Sequence, residues 1–136
     1  MQQNRRKFLS KAAMTIAATG AAATLPAMAA PAPAKSMFVH HVYFWLNNKD
    51  SQEDKAKLLE GLRGLSKVKT IKMFHIGQPA DTNRDVIDRS YAVSWLLMFE
   101  NKAAQESYQV DPIHLEFVKN YSHLWQKVVV YDSVDV

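Results

Sequence analysis

Four stretches of the chain have the hydrophobic pattern of β-strands. Residues 37–46 (MFVHHVYFWL) and 91–99 (YAVSWLLMF) are apolar at both odd and even positions, which is typical of strands covered on both faces. Shorter runs rich in β-branched and aromatic residues, at 70–77 and 127–131, predict two further strands. Polar residues without periodicity at 79–90 predict a long solvated loop before the third strand.

Three segments between these strands have the periodicity and the capping residues of helices. Ser51 and Asp54 resemble a capping box that opens a helix to about Lys67. Asn101 is placed to cap a short helix that ends near Gln109. The buried stripe of the first helix is made of leucines at helical spacing, namely Leu58, Leu59, Leu62 and Leu65.

The third predicted helix begins at Asp111 and runs to Trp125. Asp111 is a favourable N-cap because its carboxylate can accept from free backbone N–H groups, and Pro112 suits the first helical position, which needs no N–H. His114 falls in the first turn, where the helix dipole disfavours a cationic imidazolium. The stripe of this helix is His114, Phe117, Val118, Tyr121 and Trp125.

The order of elements is strand, helix, two strands, helices and strand, which is the split βαβ, or ferredoxin-like, plan of an α+β protein. In this plan a four-stranded antiparallel sheet has its helices on one face. The strands at 37–46 and 91–99 are nevertheless apolar on both faces, so a monomer would leave a large apolar surface in water. We therefore expect two copies to pack sheet to sheet as a homodimer.

The first 36 residues have the composition of an export signal and a tether. Residues 1–29 join a basic start to a weakly apolar core and to Ala27-Met28-Ala29, a cleavage site of the A-x-A type. The core is too short and too weakly apolar for a membrane span. Residues 30–36 (APAPAKS) predict an extended tether, so the folded domain is expected at 37–136.

The paired arginines distinguish two export routes. Arg5 and Arg6, followed by Phe8 and Leu9, resemble a twin-arginine signal. The weakly hydrophobic core favours that interpretation over an ordinary secretory signal with two chance arginines. Either route predicts an exported protein, in the bacterial periplasm or cell envelope.

The position of the charges argues against a nucleic-acid-binding surface. The chain has 17 basic and 13 acidic residues, but four of the basic ones lie in the first 30 residues, which contain no acid. The rest of the chain has equal numbers of both signs, so no basic patch is expected. The chain has no cysteine, which excludes a disulfide and a thiolate nucleophile.

His114 and Tyr108 are the candidate catalytic pair. A neutral His114 at the helix start could act as a general base, and Tyr108 could donate a hydrogen bond to a carbonyl that becomes an enolate. The alternative is structural: His114 bonds a backbone group at the helix start, and Tyr108 packs in the core.

The predicted ligand pocket adds His41, Tyr43, Phe117 and Tyr121. His41 and Tyr43 share one face of the first strand, and His41 approaches His114 if that face meets the helices. His40 points to the opposite face, so the two adjacent histidines cannot chelate one metal. No two histidines lie three or four apart on a helix and no Gly-rich phosphate loop occurs, so we expect neither a metal nor a cofactor.

From Phe38 onwards the chain resembles the stress-responsive A/B barrel domain (Dabb) family. The resemblance rests on four short features: His41-Val42-Tyr43-Phe44, Phe99-Glu100-Asn101, Tyr108, and Pro112-x-His114-x-x-Phe117. Many members have His directly before the proline, where this chain has Asp111. The resemblance implies a ferredoxin-like fold that pairs into a dimeric α/β barrel.

For function, the resemblance implies two alternatives. Many members have no assigned activity, which fits an exported homodimer that binds a small apolar or aromatic ligand and has a role in stress. A plant branch cyclises polyketides without a cofactor, through a tyrosine and a histidine placed like Tyr108 and His114, which implies a cyclase- or lyase-type enzyme on ketide-like substrates. That branch also has a histidine on the third strand, which residues 91–99 of this chain lack. Export favours the first alternative, because the cell envelope does not suit a polyketide pathway.

Replacing both Arg5 and Arg6 with lysine should leave the precursor in the cytoplasm, because lysine keeps the charge but not the twin-arginine pair. Cell fractionation followed by immunoblotting measures this. A variant with Arg84→Lys and Arg89→Lys is the matched control and should be exported normally. Unchanged export of the Arg5 and Arg6 variant would point to the general secretory route.

Overall fold

The computed structural model describes residues 36–136, so the predicted signal at 1–29 and nearly all of the tether at 30–36 lie outside the described residues. The described part contains four strands and three α-helices. In chain order the elements are β1 (Phe38–Leu46), α1 (Gln52–Leu65), β2 (Ile71–Gly77), β3 (Val93–Phe99), α2 (Lys102–Gln109), α3 (Pro112–Tyr121), a 3-10 turn (Ser122–Leu124) and β4 (Trp125–Val134).

The four strands form one antiparallel sheet in the order β2-β3-β1-β4. This topology, with the helices between the strands, confirms the ferredoxin-like α+β plan. β1 is a central strand that pairs with β3 on one side and with β4 on the other. Phe38, for example, lies opposite Phe99 of β3 and opposite Val134 of β4.

One face of the sheet packs against the helices and forms the core. Every second residue of β1 is buried on this face, namely Phe38, His40, Val42, Phe44 and Leu46. Leu58, Leu62 and Leu65 of the predicted α1 stripe are buried against them in the same cluster. Each fully buried leucine contributes about 1.5–3 kcal/mol relative to an exposed one, so this layer positions the helices on the sheet.

The other face of the sheet, here called the outer face, is only partly covered. On β1 it is formed by Val39, His41, Tyr43 and Trp45. The residues that lie beside these in the other strands complete it, namely Met73 and His75 of β2, Leu96 and Met98 of β3, and Val129 and Tyr131 of β4. Met73 is 51% exposed and Tyr131 is 66% exposed. A continuous apolar and aromatic surface of this kind is typical of an interface between protein molecules.

The three predicted N-caps are confirmed. The Ser51 hydroxyl accepts from the backbone N–H of Asp54 at 3.1 Å, and the Asn101 side chain accepts from that of Ala104 at 2.9 Å. The Asp111 carboxylate accepts from the backbone N–H of Ile113 at 2.8 Å. Each helix therefore begins where a side chain can satisfy a free backbone donor.

The C-terminal part of the chain differs from the prediction. α3 ends at Tyr121 rather than at Trp125, and Trp125 begins β4 opposite Leu46. β4 then continues to Val134, beyond the predicted 127–131, because β1 offers it backbone partners along its whole length. Pairing between distant strands thus overrides the local helical pattern. The indole of Trp125 still stacks on Phe117, with 5.8 Å between the ring centroids.

Gly61 has a packing role in α1. A Cβ atom at this position would lie 2.9 Å from three ring atoms of Tyr121. The helical propensity lost at a glycine is therefore offset by the close approach of α1 to α3.

Replacing Leu96 on the outer face with aspartate should convert a homodimer into a monomer, because it places a charge in the centre of the expected interface. Light scattering of the mature protein measures this, and the unmodified protein should give twice the chain mass at micromolar concentration. Leu115→Asp on the exposed side of α3 is the matched control and should remain dimeric. A dimer that tolerates Leu96→Asp would place the interface elsewhere.

Candidate active site

A cavity of about 150 Å³ lies between α3 and the helix-covered face of the sheet. Its polar wall is formed by His40, Tyr108, Gln109 and His114, and its other walls are apolar, with contributions from Val42, Phe44, Leu65, Phe117 and Trp125. Val118, Val128 and Val130 at its edge are 41%, 37% and 43% exposed. The cavity is therefore open to solvent between α3 and β4.

His114 reaches this cavity from the first turn of α3, the position that the sequence predicts. Its Nδ1 lies 3.0 Å from the backbone carbonyl oxygen of Gln109. Because a carbonyl can only accept, Nδ1 carries the proton and donates it. The lone pair of the neutral imidazole is thereby assigned to Nε2, which has no hydrogen-bond partner among residues 36–136. The backbone bond proposed as the structural alternative does form, and it leaves the second nitrogen available as a base.

The pKa of His114 lies below its ordinary value. Partial burial is the largest cause. The hydrogen bond to Gln109 and the Asp111 carboxylate act in the opposite direction, while the neighbouring His40 adds to the lowering. His114 is therefore neutral at pH 7.

Tyr108 extends from α2 into the core beside His114. The two rings have centroids 4.6 Å apart and are tilted by 51°. The hydroxyl oxygen of Tyr108 accepts from Nε1–H of Trp95 at 3.2 Å, and its own proton remains free for a further partner. Tyr108 is 1% exposed, and burial raises the pKa of its hydroxyl far above the ordinary value. The hydroxyl therefore stays protonated and can act as a donor.

His40 is the residue that sequence reasoning missed. It is buried, lines the cavity, and its ring centroid lies 6.0 Å from that of Tyr108. Nδ1 of His40 lies 2.6 Å from Oδ1 of Asp132, which is opposite it in the pairing of β1 with β4. The carboxylate accepts from Nδ1–H and fixes the orientation of the ring. Residues 37–46 are apolar at both parities, so the sequence carries no signal that places His40 rather than His41 on the buried face.

The other predicted pocket residues are divided between the two faces of the sheet. Phe117 lines the cavity. Tyr121 stacks on Phe117 with 5.4 Å between centroids, but it lies against Gly61 rather than in the cavity wall. His41 and Tyr43 belong to the outer face, where Tyr43 Oη and His41 Nδ1 are 3.0 Å apart. The face of β1 that carries His41 does not meet the helices, so the structure does not bring it to His114.

Residues 36–136 contain neither a metal-binding cluster nor a membrane-spanning helix. No cluster of three or more His, Asp or Glu side chains there is arranged to hold a metal ion. No helix in the same range is long and apolar enough to cross a membrane. The cavity wall contains two imidazoles and a phenol, and one imidazole is hydrogen-bonded to a carboxylate. Groups of these types can transfer protons.

Solved structures share this fold. A Dabb family protein from Mesorhizobium loti superposes with a TM-score of 0.62 at 21% identity, over 74% of this chain and 98% of that one. A hydroxynitrile lyase from Passiflora edulis also gives 0.62, at 20% identity, over 76% and 96%. A dimeric ferredoxin-like protein of unknown function from Thermobifida fusca gives 0.60, at 13% identity, over 74% and 92%.

Sequence comparison agrees with the fold. A stress-response A/B barrel domain-containing protein of Arabidopsis thaliana is 27% identical over 77 residues, which is 56% of this chain and 68% of that protein. The family profile described as Stress responsive A/B Barrel Domain matches residues 38–135, nearly all of the described part. The chain therefore belongs to the stress-responsive A/B barrel domain, or Dabb, family.

Proposed function

We propose that this domain is a cofactor-independent enzyme that moves a proton on a small carbonyl compound or carbonyl adduct. The observation that carries the proposal is the convergence of His114 and Tyr108 on one solvent-connected cavity. The two groups have opposite roles, because the free Nε2 of His114 can accept a proton and the protonated hydroxyl of Tyr108 can donate a hydrogen bond.

In the proposed step, Nε2 of His114 takes a proton from the substrate, either from a carbon next to a carbonyl or from the hydroxyl of a carbonyl adduct. In the first case the electron pair moves onto the carbonyl oxygen and forms an enolate, and Tyr108 stabilises this oxygen by hydrogen bonding. In the second case the electron pair of the O–H bond re-forms the carbonyl, the bond to the added carbon breaks, and its electron pair leaves with that carbon as an anion, which is then protonated. The imidazolium that results is held by Gln109 and lies near the Asp111 carboxylate.

His40 and Asp132 supply a second, oriented imidazole in the same cavity. Because Nδ1–H of His40 is donated to Asp132, its Nε2 carries a lone pair. We propose that this nitrogen takes the proton from protonated His114 and passes it to the product or the leaving group, so that both imidazoles are neutral again after each turnover. Asp132 lies 2.6 Å from Nδ1 of His40, so it holds the ring by a short charge-assisted hydrogen bond.

The size of the cavity constrains the substrate. Its volume of about 150 Å³ is below the roughly 300–1,000 Å³ of sites for drug-sized ligands. A compound of a few carbon atoms fits better than a ketide chain, which moves the proposal away from a polyketide cyclase. The hydroxynitrile lyase of Passiflora edulis has the same fold. Small hydroxynitriles are carbonyl adducts, so these compounds should be among the first substrates assayed.

Binding without chemistry is the second candidate function. It is favoured by the apolar walls of the cavity and by Tyr108, which is 1% exposed and packed between His114 and Phe99. In this case the domain holds a small apolar or aromatic ligand, and His114 contributes a hydrogen bond rather than a proton transfer.

We also propose that the protein works as an exported homodimer. The fold neighbour from Thermobifida fusca is dimeric, and the outer face of this chain offers a partly exposed apolar surface for a second copy. Export to the periplasm or cell envelope is proposed from Arg5 and Arg6. A role in stress is proposed from family membership.

Replacing His114 with alanine should lower kcat/KM by about 100-fold or more, because a general base is worth roughly that much. The assay is a panel of small ketones and hydroxynitriles, followed by NMR for exchange of the α-proton in D2O and by release of cyanide. Tyr108→Phe should lower kcat to a similar extent while the ring keeps its place in the core. His123→Ala, which removes an exposed histidine outside the cavity, is the control and should leave the rate unchanged.

The two candidate functions give different results in this assay. Turnover that His114→Ala abolishes supports the enzyme. Saturable binding without turnover, lost in His114→Ala, supports the binding protein. Turnover that is equal in the unmodified protein and in His114→Ala would contradict the assignment of His114 as the base.

NMR titration of the His114 imidazole should give a pKa below the ordinary value of 6.5, because burial disfavours its cation. Folding then lowers the affinity of His114 for a proton. Its contribution to the free energy of unfolding is complete above about pH 6.5 and is lost as the pH falls towards the pKa of the folded state. The His114→Ala variant assigns the resonance. A pKa above 6.5 would mean that the Asp111 carboxylate and the Gln109 carbonyl outweigh burial.

A further inference from the structure

A second recess lies on the opposite side of the sheet from the His114 cavity. It has a volume of about 310 Å³ and is lined by Tyr43, Trp45, Asp88, Tyr91 and Tyr131. Tyr43, Trp45 and Tyr131 belong to the outer face, while Asp88 and Tyr91 come from the segment between β2 and β3. Four aromatic rings and one carboxylate are an unusual concentration on a partly exposed surface.

The rings are arranged as walls rather than as a stack. Tyr43 meets Tyr91 at 73° with 4.9 Å between centroids, and it meets Tyr131 at 77° with 6.0 Å between centroids. Trp45 meets Tyr91 at 78° and 6.4 Å. Nearly perpendicular neighbours turn the π-faces of different rings towards a shared space. A π-face carries partial negative charge, so a box of this kind attracts cations.

Ser90 connects the carboxylate to the largest of these rings. Nε1–H of Trp45 donates to the Ser90 hydroxyl at 3.0 Å, and the backbone N–H of Ser90 donates to Oδ1 of Asp88 at 2.8 Å. The hydrogen bonds from Ser90 lower the pKa of Asp88, so its side chain is anionic at neutral pH. The chain thus fixes a negative charge beside the aromatic walls.

A cation of the protein itself already uses one wall. Nζ of Lys127 lies 4.4 Å from the centre of the Trp45 ring, and Lys127 is opposite Trp45 in the pairing of β1 with β4. Lys127 is exposed and has a long flexible side chain, so an incoming cation can displace it at little cost. Its position shows that the Trp45 face is accessible to an ammonium group.

We propose that this recess is a second ligand site, which takes a compact organic cation of the alkylammonium class. Methylated ammonium groups suit it because they are weakly hydrated and present an apolar, positively charged surface to aromatic walls. The site is at one end of the outer face, beside the segment that precedes β3, although Tyr131 lies in the same row as His41 and Leu96. A second copy on the central rows would therefore border the recess at Tyr131, and the cation enters from the side of Asp88 and Tyr91.

Isothermal titration of the mature protein with tetramethylammonium tests the proposal. The unmodified protein should bind it saturably, and tert-butanol, an uncharged probe of similar shape, should bind at least about tenfold more weakly. Trp45→Leu and Tyr131→Ala should each weaken binding roughly 3- to 30-fold. Tyr131 is the safer position, since it is 66% exposed and its loss should leave the fold intact. Lys127→Met should tighten binding, because it removes the competing cation.

The carboxylate is tested with a matched pair in the same segment. Asp88→Asn should weaken binding of tetramethylammonium, whereas Asp85→Asn, which changes an exposed carboxylate outside the recess, should not. His114→Ala should bind as the unmodified protein does, which separates this site from the proposed active site. Absence of binding in both the unmodified protein and Lys127→Met would overturn the proposal and indicate that a second copy fills the recess. Binding that is insensitive to Tyr131→Ala and Asp88→Asn would also overturn it.

Discussion

The pairing of β1 with strands on both sides is the constraint on which both candidate sites depend. Hydrogen bonding to β3 and β4 fixes the register of β1, and the pleat then sends alternate side chains to opposite faces. His40 is thereby directed to the cavity beneath α3, while Tyr43 and Trp45 are directed to the outer face. A slip of one residue would exchange the two sets. The same register brings Asp132 to His40 and Lys127 to Trp45.

The start of α3 is the second structural feature that determines the geometry of the candidate active site. Asp111 caps the helix, and the fixed φ angle of Pro112 suits the first helical turn, so His114 lies close to the preceding residues of the chain. Its Nδ1 meets the carbonyl of Gln109, an acceptor at the end of α2. One local turn therefore positions the imidazole and decides which nitrogen is protonated. A backbone contact that looks purely structural is compatible with catalysis for this reason.

Features with a local physical cause could be predicted from the sequence. The N-caps at Ser51, Asn101 and Asp111 depend on residues two or three positions away, and the α1 stripe depends on helical spacing. The His40–Asp132 pair spans 92 residues, and only the packing of helices on the sheet decides which parity of β1 is buried. Periodicity alone is equally consistent with either face, since residues 37–46 are apolar at both parities. Helical spacing likewise predicts Trp125 in α3, but pairing with β1 places it in β4.

Burial has opposite chemical consequences for the two main groups of the cavity. Desolvation disfavours whichever form of a group is charged. For His114 the charged form is the protonated one, so burial lowers its pKa and leaves an unprotonated base. For Tyr108 the charged form is the deprotonated one, so burial raises its pKa and leaves a protonated donor. A single apolar environment, formed by residues such as Phe117 and Phe99, thus prepares a base and a hydrogen-bond donor side by side. No cofactor is needed to establish that difference, because it follows from placing an imidazole and a phenol in the same desolvated wall.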